Sequence, residues 1–210
     1  MSKRPSSSRW LQRQKKDPYV KQAQQSEYRS RAVYKLEEID KKDHLFRKGQ
    51  TIIDLGAAPG SWSQYVAHRV GSQGKVIAID ILAVEEIVNV LFIKGDFTEQ
   101  VIYEQCLHSL AGSKVDLVIS DMAPNISGIK SSDQARSMAL AEMALELACQ
   151  VLKPGGDLLV KIFEGEGVAE FRQELKEHFQ QVMTRKPKAS RDNSREFYIL
   201  ARSFRCKIVL

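Results

Sequence analysis

The chain has 210 residues, of which 43% are hydrophobic and 28% charged. That is the composition of one folded domain, and it excludes disorder over the whole length. No apolar run approaches the ~18 residues of a membrane span. Three scattered cysteines, Cys106, Cys149 and Cys206, form no CxxC pair. They argue against a disulfide framework or a zinc knuckle, and they suit a reducing cytoplasm. The net charge of +6 is segregated, with +8 over residues 1–50, −8 over 51–171 and +6 over 172–210. If the two basic ends meet in the fold, they make one positive surface for a polyanion; otherwise they are solvated tails.

Residues 1–26 read as a flexible basic arm. The Ser- and Arg-rich start has no acid before Asp17, as in an organelle transit peptide, but Pro5 and three serines interrupt any amphipathic helix and no apolar signal core follows. Trp10 and Tyr19 give the arm aromatic faces that can stack on bases. From Glu27 to Lys42 the spacing of Ala32, Val33, Leu36 and Ile39 predicts a helix. Residues Thr51–Leu55 form a buried strand that runs into a glycine-rich turn, with a helix over Ser61–Val70. Strands follow at Lys75–Asp80 and Leu91–Lys94, then a helix over Phe97–Leu110 and a strand over Val115–Asp121. A long helix over Gln134–Leu152 stops at Lys153-Pro154-Gly155-Gly156. A strand over Asp157–Phe163, a helix over Val168–Phe179 and a last strand over Glu196–Ala201 complete the series. Alternating strands and helices predict an α/β domain over residues 27–210, with a mostly parallel sheet and helices on both faces. Continuously apolar strands agree with burial on both faces.

The strongest local signal is Asp54-Leu55-Gly56-Ala57-Ala58-Pro59-Gly60-Ser61-Trp62-Ser63. It leaves a strand and enters a helix, at the carboxyl ends of the strands where doubly wound sheets bind ligands. Gly56 and Gly60 let a ligand approach the backbone. The spacing is not the dinucleotide GxGxxG, Pro59 lacks an N–H for pyrophosphate, and Asp54 is acidic. S-adenosylmethionine, which carries a sulfonium and an ammonium but no phosphate, fits such a loop better than NAD does. Asp80 ends the second strand, where a carboxylate meets ribose hydroxyls, and Asp96 follows the third, where it can accept from an adenine amine. Each acid taken alone also reads as a solvated strand end.

Two further ionisable residues sit at the carboxyl ends of apolar strands. Asp121 closes Ser120-Asp121-Met122-Ala123-Pro124-Asn125, and Lys161 interrupts Leu159-Val160-Lys161-Ile162-Phe163. A lysine there is costly to bury unpaired, so it is either one half of a structural ion pair or a general base.

The stretches Ser30–Leu36, Asp54–Gly60, Asp121–Asn125, Val160–Phe163 and Ser194–Tyr198 together resemble the FtsJ-type ribose 2′-O-methyltransferases, over about Gln22 to Ser203. The resemblance implies a Rossmann-like class I domain dependent on S-adenosylmethionine. The family's Lys-Asp-Lys-Glu tetrad falls on Lys35, Asp121, Lys161 and Glu196, and its cofactor contacts fall on Gly60, Trp62, Asp80, Asp96 and Asp121. No metal is needed, because the methyl donor is already activated. An ordinary lysine holds its proton to a pH of about 10.4, so base catalysis calls for burial and a neighbouring cation. Lys161 is assigned the proton, Asp121 and Glu196 its orientation, and Lys35 the developing oxyanion. Tyr198 faces the same side as Glu196 and either meets the target nucleotide or packs in the core. Arg29 and Arg31 are phosphate candidates or a solvated helix face, with Lys15, Lys16, Lys186, Lys188 and Arg191 behind them.

The resemblance is strongest to the bacterial ribosomal members of that family. It implies the A-loop uridine of 23S rRNA, in an assembled large subunit, as substrate of a cytoplasmic monomer. Transfer-RNA and cap ribose methyltransferases share the tetrad and remain open. A non-catalytic RNA-binding protein and an NAD-dependent oxidoreductase are the readings from other classes.

Overall fold

The structure is a computed structural model that describes residues 17–191 and 194–205. Helix α1 spans Pro18–Gln25 and α2 spans Val33–Asp43. Strand β1 (Thr51–Leu55), α3 (Ser61–Val70), β2 (Lys75–Asp80), β3 (Val90–Lys94), α4 (Gln100–Leu110) and β4 (Val115–Ser120) follow. The chain continues through α5 (Lys130–Val151), β5 (Leu152–Phe163), α6 (Val168–His178), β6 (Phe179–Arg185) and β7 (Glu196–Phe204). The seven strands make one sheet in the order β3-β2-β1-β4-β5-β7-β6. The pairs β1–β2, β1–β4, β2–β3 and β4–β5 are parallel, whereas β7 runs antiparallel to both β5 and β6.

Period-two alternation sorts each central strand into two hydrophobic layers. On one face Ile53, Leu55, Ile77, Ile79 and Val118 pack with Cys106 of α4, Leu145 and Ala148 of α5, and Phe171 and Leu175 of α6. On the other Ile52, Val76, Leu117, Ile119 and Leu159 pack with Ala23 of α1, Leu36 and Ile39 of α2, and Trp62 and Val66 of α3. Asp40, buried at the end of α2, joins α2 to α3. It accepts the backbone N–H groups of Leu45 and Phe46 and the Tyr65 hydroxyl (2.7 Å), and pairs with Arg69.

Three elements differ from the sequence expectation. Residues 17–26 are not part of a flexible arm. Asp17 caps α1 through Tyr19 N (3.0 Å), Pro18 takes the first turn, Ala23 is buried, and the Tyr19 ring packs on Tyr34 at 5.6 Å. The rest of that arm, with Trp10, Lys15 and Lys16, lies outside the described residues, as does Cys206. Strand β5 starts at Leu152, which pairs with Val115. Pairing resumes at Leu117 with Asp157, so the supposed helix stop over 153–156 is an irregularity within the strand. Strand β6 was not foreseen. As an edge strand it runs exposed Gln180 and Gln181, half-buried Val182 and Met183, then exposed Thr184, too weak a pattern to separate from loop. Among the described residues no helix is long and apolar enough to cross a membrane.

Candidate active site

The loop after β1 folds under glycine control. Gly56 (φ +76°) lies against the β4 loop, where a Cβ would stand 2.8 Å from Met122 N and 2.9 Å from Met122 Cα. Gly60 (φ +104°) is the N-cap of α3, and a Cβ there would meet Arg29, Val84 and Ile87 within 3.0 Å. The first-turn amides of α3 have no intrahelical acceptor, so the helix opens the crevice with N–H donors.

Acidic groups surround this opening. Asp54 is fully buried; Oδ2 accepts the Ser63 hydroxyl at 2.6 Å and Oδ1 has no partner. Burial pushes its carboxyl up to about 7, and the charges of Asp121 and Asp80 add to the rise, while the Ser63 bond opposes it. Asp80 accepts Ala58 N on one oxygen and Leu82 N on the other, both at 2.8 Å, and thus ties the β1 loop to the end of β2. Asp96 is exposed, and its Oδ1 accepts both Thr98 N (2.9 Å) and the Thr98 hydroxyl (2.7 Å). Ser63 and Thr98 were missed by sequence reading. Each is a hydroxyl close in sequence to an acid of the site, a signal visible only once the turn is known.

The tetrad residues come together as two ion pairs. Lys161 Nζ lies 3.1 Å from Asp121 Oδ1 and also donates to the Asp121 main-chain oxygen. Lys35 Nζ lies 2.5 Å from Glu196 Oε1. All four side chains are largely withdrawn from water, Lys161 most of all at 6% exposed. Lys161 stands opposite Tyr198 in the β5–β7 register, and Phe163 stands opposite Glu196. Directly opposed residues share a face of the sheet, so Lys161, Phe163, Glu196 and Tyr198 project the same way.

Four of the expected contact residues are already engaged within the protein. Tyr198 is fully buried and does not offer its ring to a nucleotide. The ring packs on Trp62 at 5.7 Å, and the hydroxyl donates to Asp121 Oδ1 at 2.7 Å, on the carboxylate that holds Lys161. Burial, then the charges of Asp121 and Glu196, hold that phenol well above its ordinary range, so it stays a donor. The Trp62 side chain is buried too and bonds Ala32 O at 2.8 Å; only its backbone amide, in the first turn of α3, remains available to a cofactor. Arg29 spends its guanidinium on the carbonyls of Pro59 (3.3 Å), Glu85 (2.8 Å) and Glu86 (3.0 Å), clamping the β1 loop to the segment after β2. Arg31 bonds Asp17 and the Ala189 carbonyl. These arginines build the site's walls, and Arg31 ties Asp17 to the connection between β6 and β7, where Lys186, Lys188 and Arg191 are exposed.

A seven-stranded α/β sheet with this order, a glycine turn after β1, and acids closing β2 and following β3 and β4 defines a methyltransferase-type domain. The FtsJ-like methyltransferase model matches residues 28–204. The chain is 54% identical to the ribosomal RNA large subunit methyltransferase E of Hydrogenovibrio crunogenus, over 96% of this chain and 98% of that protein. It is 53% identical to the protein of the same name from Pseudomonas aeruginosa, over 98% and 99%. A Plasmodium falciparum crystal structure described as a ribosomal RNA methyltransferase superposes with a TM-score of 0.76 at 33% identity, covering 84% of this chain and 98% of that one. The chain belongs to the FtsJ-like methyltransferase family.

The residues fit S-adenosylmethionine. The unpartnered Asp54 oxygen is a buried acceptor that a cationic ligand can satisfy, Asp80 and Asp96 retain acceptor lone pairs for hydroxyl and amino groups, and the α3 amides suit a carboxylate.

Proposed function

We propose that the protein transfers a methyl group from S-adenosylmethionine to a ribose 2′-hydroxyl in large-subunit ribosomal RNA, at the A-loop uridine of the 23S molecule within the assembled subunit. The observation that carries this reading is the pairing of Lys161 with Asp121 beside Lys35 with Glu196, two amines held by two carboxylates on one face of the sheet. The relatives named for large-subunit RNA supply the substrate class. Exposed Lys186, Lys188 and Arg191 beside the Arg31–Ala189 bond offer cations to the polyanion.

When bound, the cofactor offers a sulfonium methyl that accepts in-line attack and leaves a neutral thioether. Gly60, the α3 amides at Ser61 and Trp62, Asp54, Asp80 and Asp96 hold and orient it. Lys161 Nζ would accept the 2′-hydroxyl proton as the ribose oxygen turns nucleophile towards the methyl that the cofactor would supply. Asp121 fixes that amine from two oxygens, and Tyr198 fixes Asp121. Lys35, held by Glu196, stabilises charge gathering on the attacking oxygen.

The test is methyl transfer from labelled S-adenosylmethionine to large subunits that lack the modification, with naked 23S rRNA and transfer RNA in parallel, and mass spectrometry of nuclease digests. A 2′-O-methyluridine on large subunits is the expected product. Label confined to transfer RNA keeps the chemistry and overturns the substrate. Label on a base overturns the ribose reading.

A further inference from the structure

Beside the tetrad lies a cleft of about 170 Å³ that neither ion pair uses. It is formed by Pro124 and Ile126 of the β4 loop, Lys130, Asp133 and Gln134 of α5, Phe163 at the end of β5, and Arg195. Its walls are mainly apolar, while Lys130 and Arg195 are exposed cations on its rim. Phe163 follows Lys161 by two residues on the same strand face, with Lys161 Nζ 5.9 Å from its ring centroid. Phe163 therefore links the cleft to Lys161.

From this geometry we infer that the cleft takes one unstacked nucleobase of the RNA, the base of the nucleotide whose ribose is methylated, against the ring of Phe163. The inference rests on the proposed ribose methylation and names the subsite that selects its nucleotide. The volume is below the ~300 Å³ at which drug-sized pockets begin, so it suits a single planar ring system. Unpaired RNA bases are recognised by stacking on aromatic side chains, with cations taking the adjoining phosphates. Ile126 is 77% exposed at the lip of this cleft, an apolar side chain with little of its surface covered by the chain itself. Its loop is nevertheless held in place. Asp133 accepts Ser127 N (2.8 Å), the Ser127 hydroxyl (2.7 Å) and Gly128 N (3.0 Å). Gln134 fixes the floor by donating to the carbonyls of Phe163 (3.2 Å) and Glu166 (2.9 Å). A site both apolar and fixed, bordered by cations and walled by the ring that lies 5.9 Å from Lys161 Nζ, matches a base attached to the reacting ribose.

The experiment compares the whole 210-residue chain with Phe163→Ala, Phe163→Tyr and Ile126→Ser. It measures methyl transfer to unmodified large subunits, S-adenosylmethionine affinity by calorimetry, and thermal unfolding. Loss of a base–aromatic stack raises the KM for subunits about ten- to hundredfold in Phe163→Ala. Phe163→Tyr restores it, Ile126→Ser raises it by a smaller factor, and cofactor affinity stays at the wild-type value throughout. Ile126 is exposed, so its variant reports on the cleft even if Phe163→Ala fails to fold. An unchanged KM in Ile126→Ser together with either an unchanged KM or loss of fold in Phe163→Ala overturns the cleft and leaves ribose methylation standing. Failure of Phe163→Tyr to rescue overturns stacking as the cause. Wild-type protein that binds cofactor yet methylates no subunit removes the methylation reading, and this inference with it.

Discussion

Replacing Asp54 by asparagine tests the electrostatics of the glycine loop after β1 without touching Lys161. The folded chain holds the Asp54 proton to about pH 7, against 3.8 for an ordinary aspartate. Between those values the folded state binds more protons than the unfolded one, so this group's contribution to stability is fully present below pH 3.8 and is lost as pH rises through 7. A difference of roughly three pH units, at ~1.36 kcal/mol each, makes that loss about 4 kcal/mol. Asparagine keeps the shape and an acceptor for Ser63 but has no proton to lose. Urea unfolding of the cofactor-free protein at pH 5 and pH 8 is the assay. The wild type has the lower midpoint at pH 8, and the variant shows a smaller pH dependence and exceeds the wild type at pH 8. Added S-adenosylmethionine narrows the wild-type gap, because a cation beside the unpartnered Oδ1 favours the charged carboxylate. Equal pH slopes in the two proteins would refute the argument, and so would an asparagine variant weaker than wild type at both pH values.

Lys161→Ala abolishes methyl transfer by about 10²–10⁴-fold while calorimetry shows cofactor affinity intact, and Lys161→Arg does not restore turnover, because a guanidinium cannot give up its proton. Tyr198→Phe keeps the buried ring against Trp62 and removes only the bond to Asp121. A hydrogen bond to a charged group contributes about 1.5–3 kcal/mol to stability, so the unfolding temperature falls by several degrees, and kcat falls as well because Asp121 loses the bond that fixes it. Gly56→Ala places a Cβ 2.8 Å from the Met122 backbone at a positive φ, which displaces the Asp121 loop. Left-handed geometry alone costs an alanine about 1–2 kcal/mol, and both a lower unfolding midpoint and weaker cofactor binding are expected.

Much of the fold was legible because the central strands are apolar on both faces and end in glycine or acid. β1, β2 and α3 lie where Thr51–Leu55, Lys75–Asp80 and Ser61–Val70 predict them. What failed was local or relational. The cap of α1 was present in the sequence as Asp17-Pro18, yet the basic charge around it reads equally well as a solvated arm. Edge strand β6 sends Val182 to one hydrophobic layer and Met183 to the other and shows no strong alternation. The roles of Tyr198, Arg29 and Arg31 depend on long-range neighbours: Tyr198 on Asp121 and Trp62, Arg29 on Pro59 and Glu85, and Arg31 on Ala189. No spacing rule within one segment could have separated a buried phenol that positions a carboxylate from an exposed ring awaiting a base.

The antiparallel strand explains how the tetrad assembles from distant parts of the chain. Parallel strands bring only their carboxyl ends to the crevice, which accounts for Asp121 just after β4 and Lys161 near the end of β5. A further parallel strand would offer the end of its run, after a long apolar stretch. Strand β7 instead enters the sheet at the crevice, so that its first residue, Glu196, faces the last residue of β5, and Tyr198 faces Lys161. The remaining strand, Ile199 to Phe204, is then free to be apolar and to tie β5 to the edge. The reversal puts Glu196 within reach of Lys35 on the first turn of α2, while parallel β4 delivers Asp121 to Lys161. Each amine is thus held by a carboxylate from a different strand, and both pairs are fixed by the register of β5 with its two neighbours. A one-residue slip of β7 against β5 would turn Glu196 and Tyr198 to the opposite face and leave Lys35 unpaired and Asp121 without its phenol. The hydrophobic layers that forbid that slip, with Ile199 and Phe197 on one side and Tyr198 and Leu200 on the other, are therefore also what keeps the amines in place for chemistry.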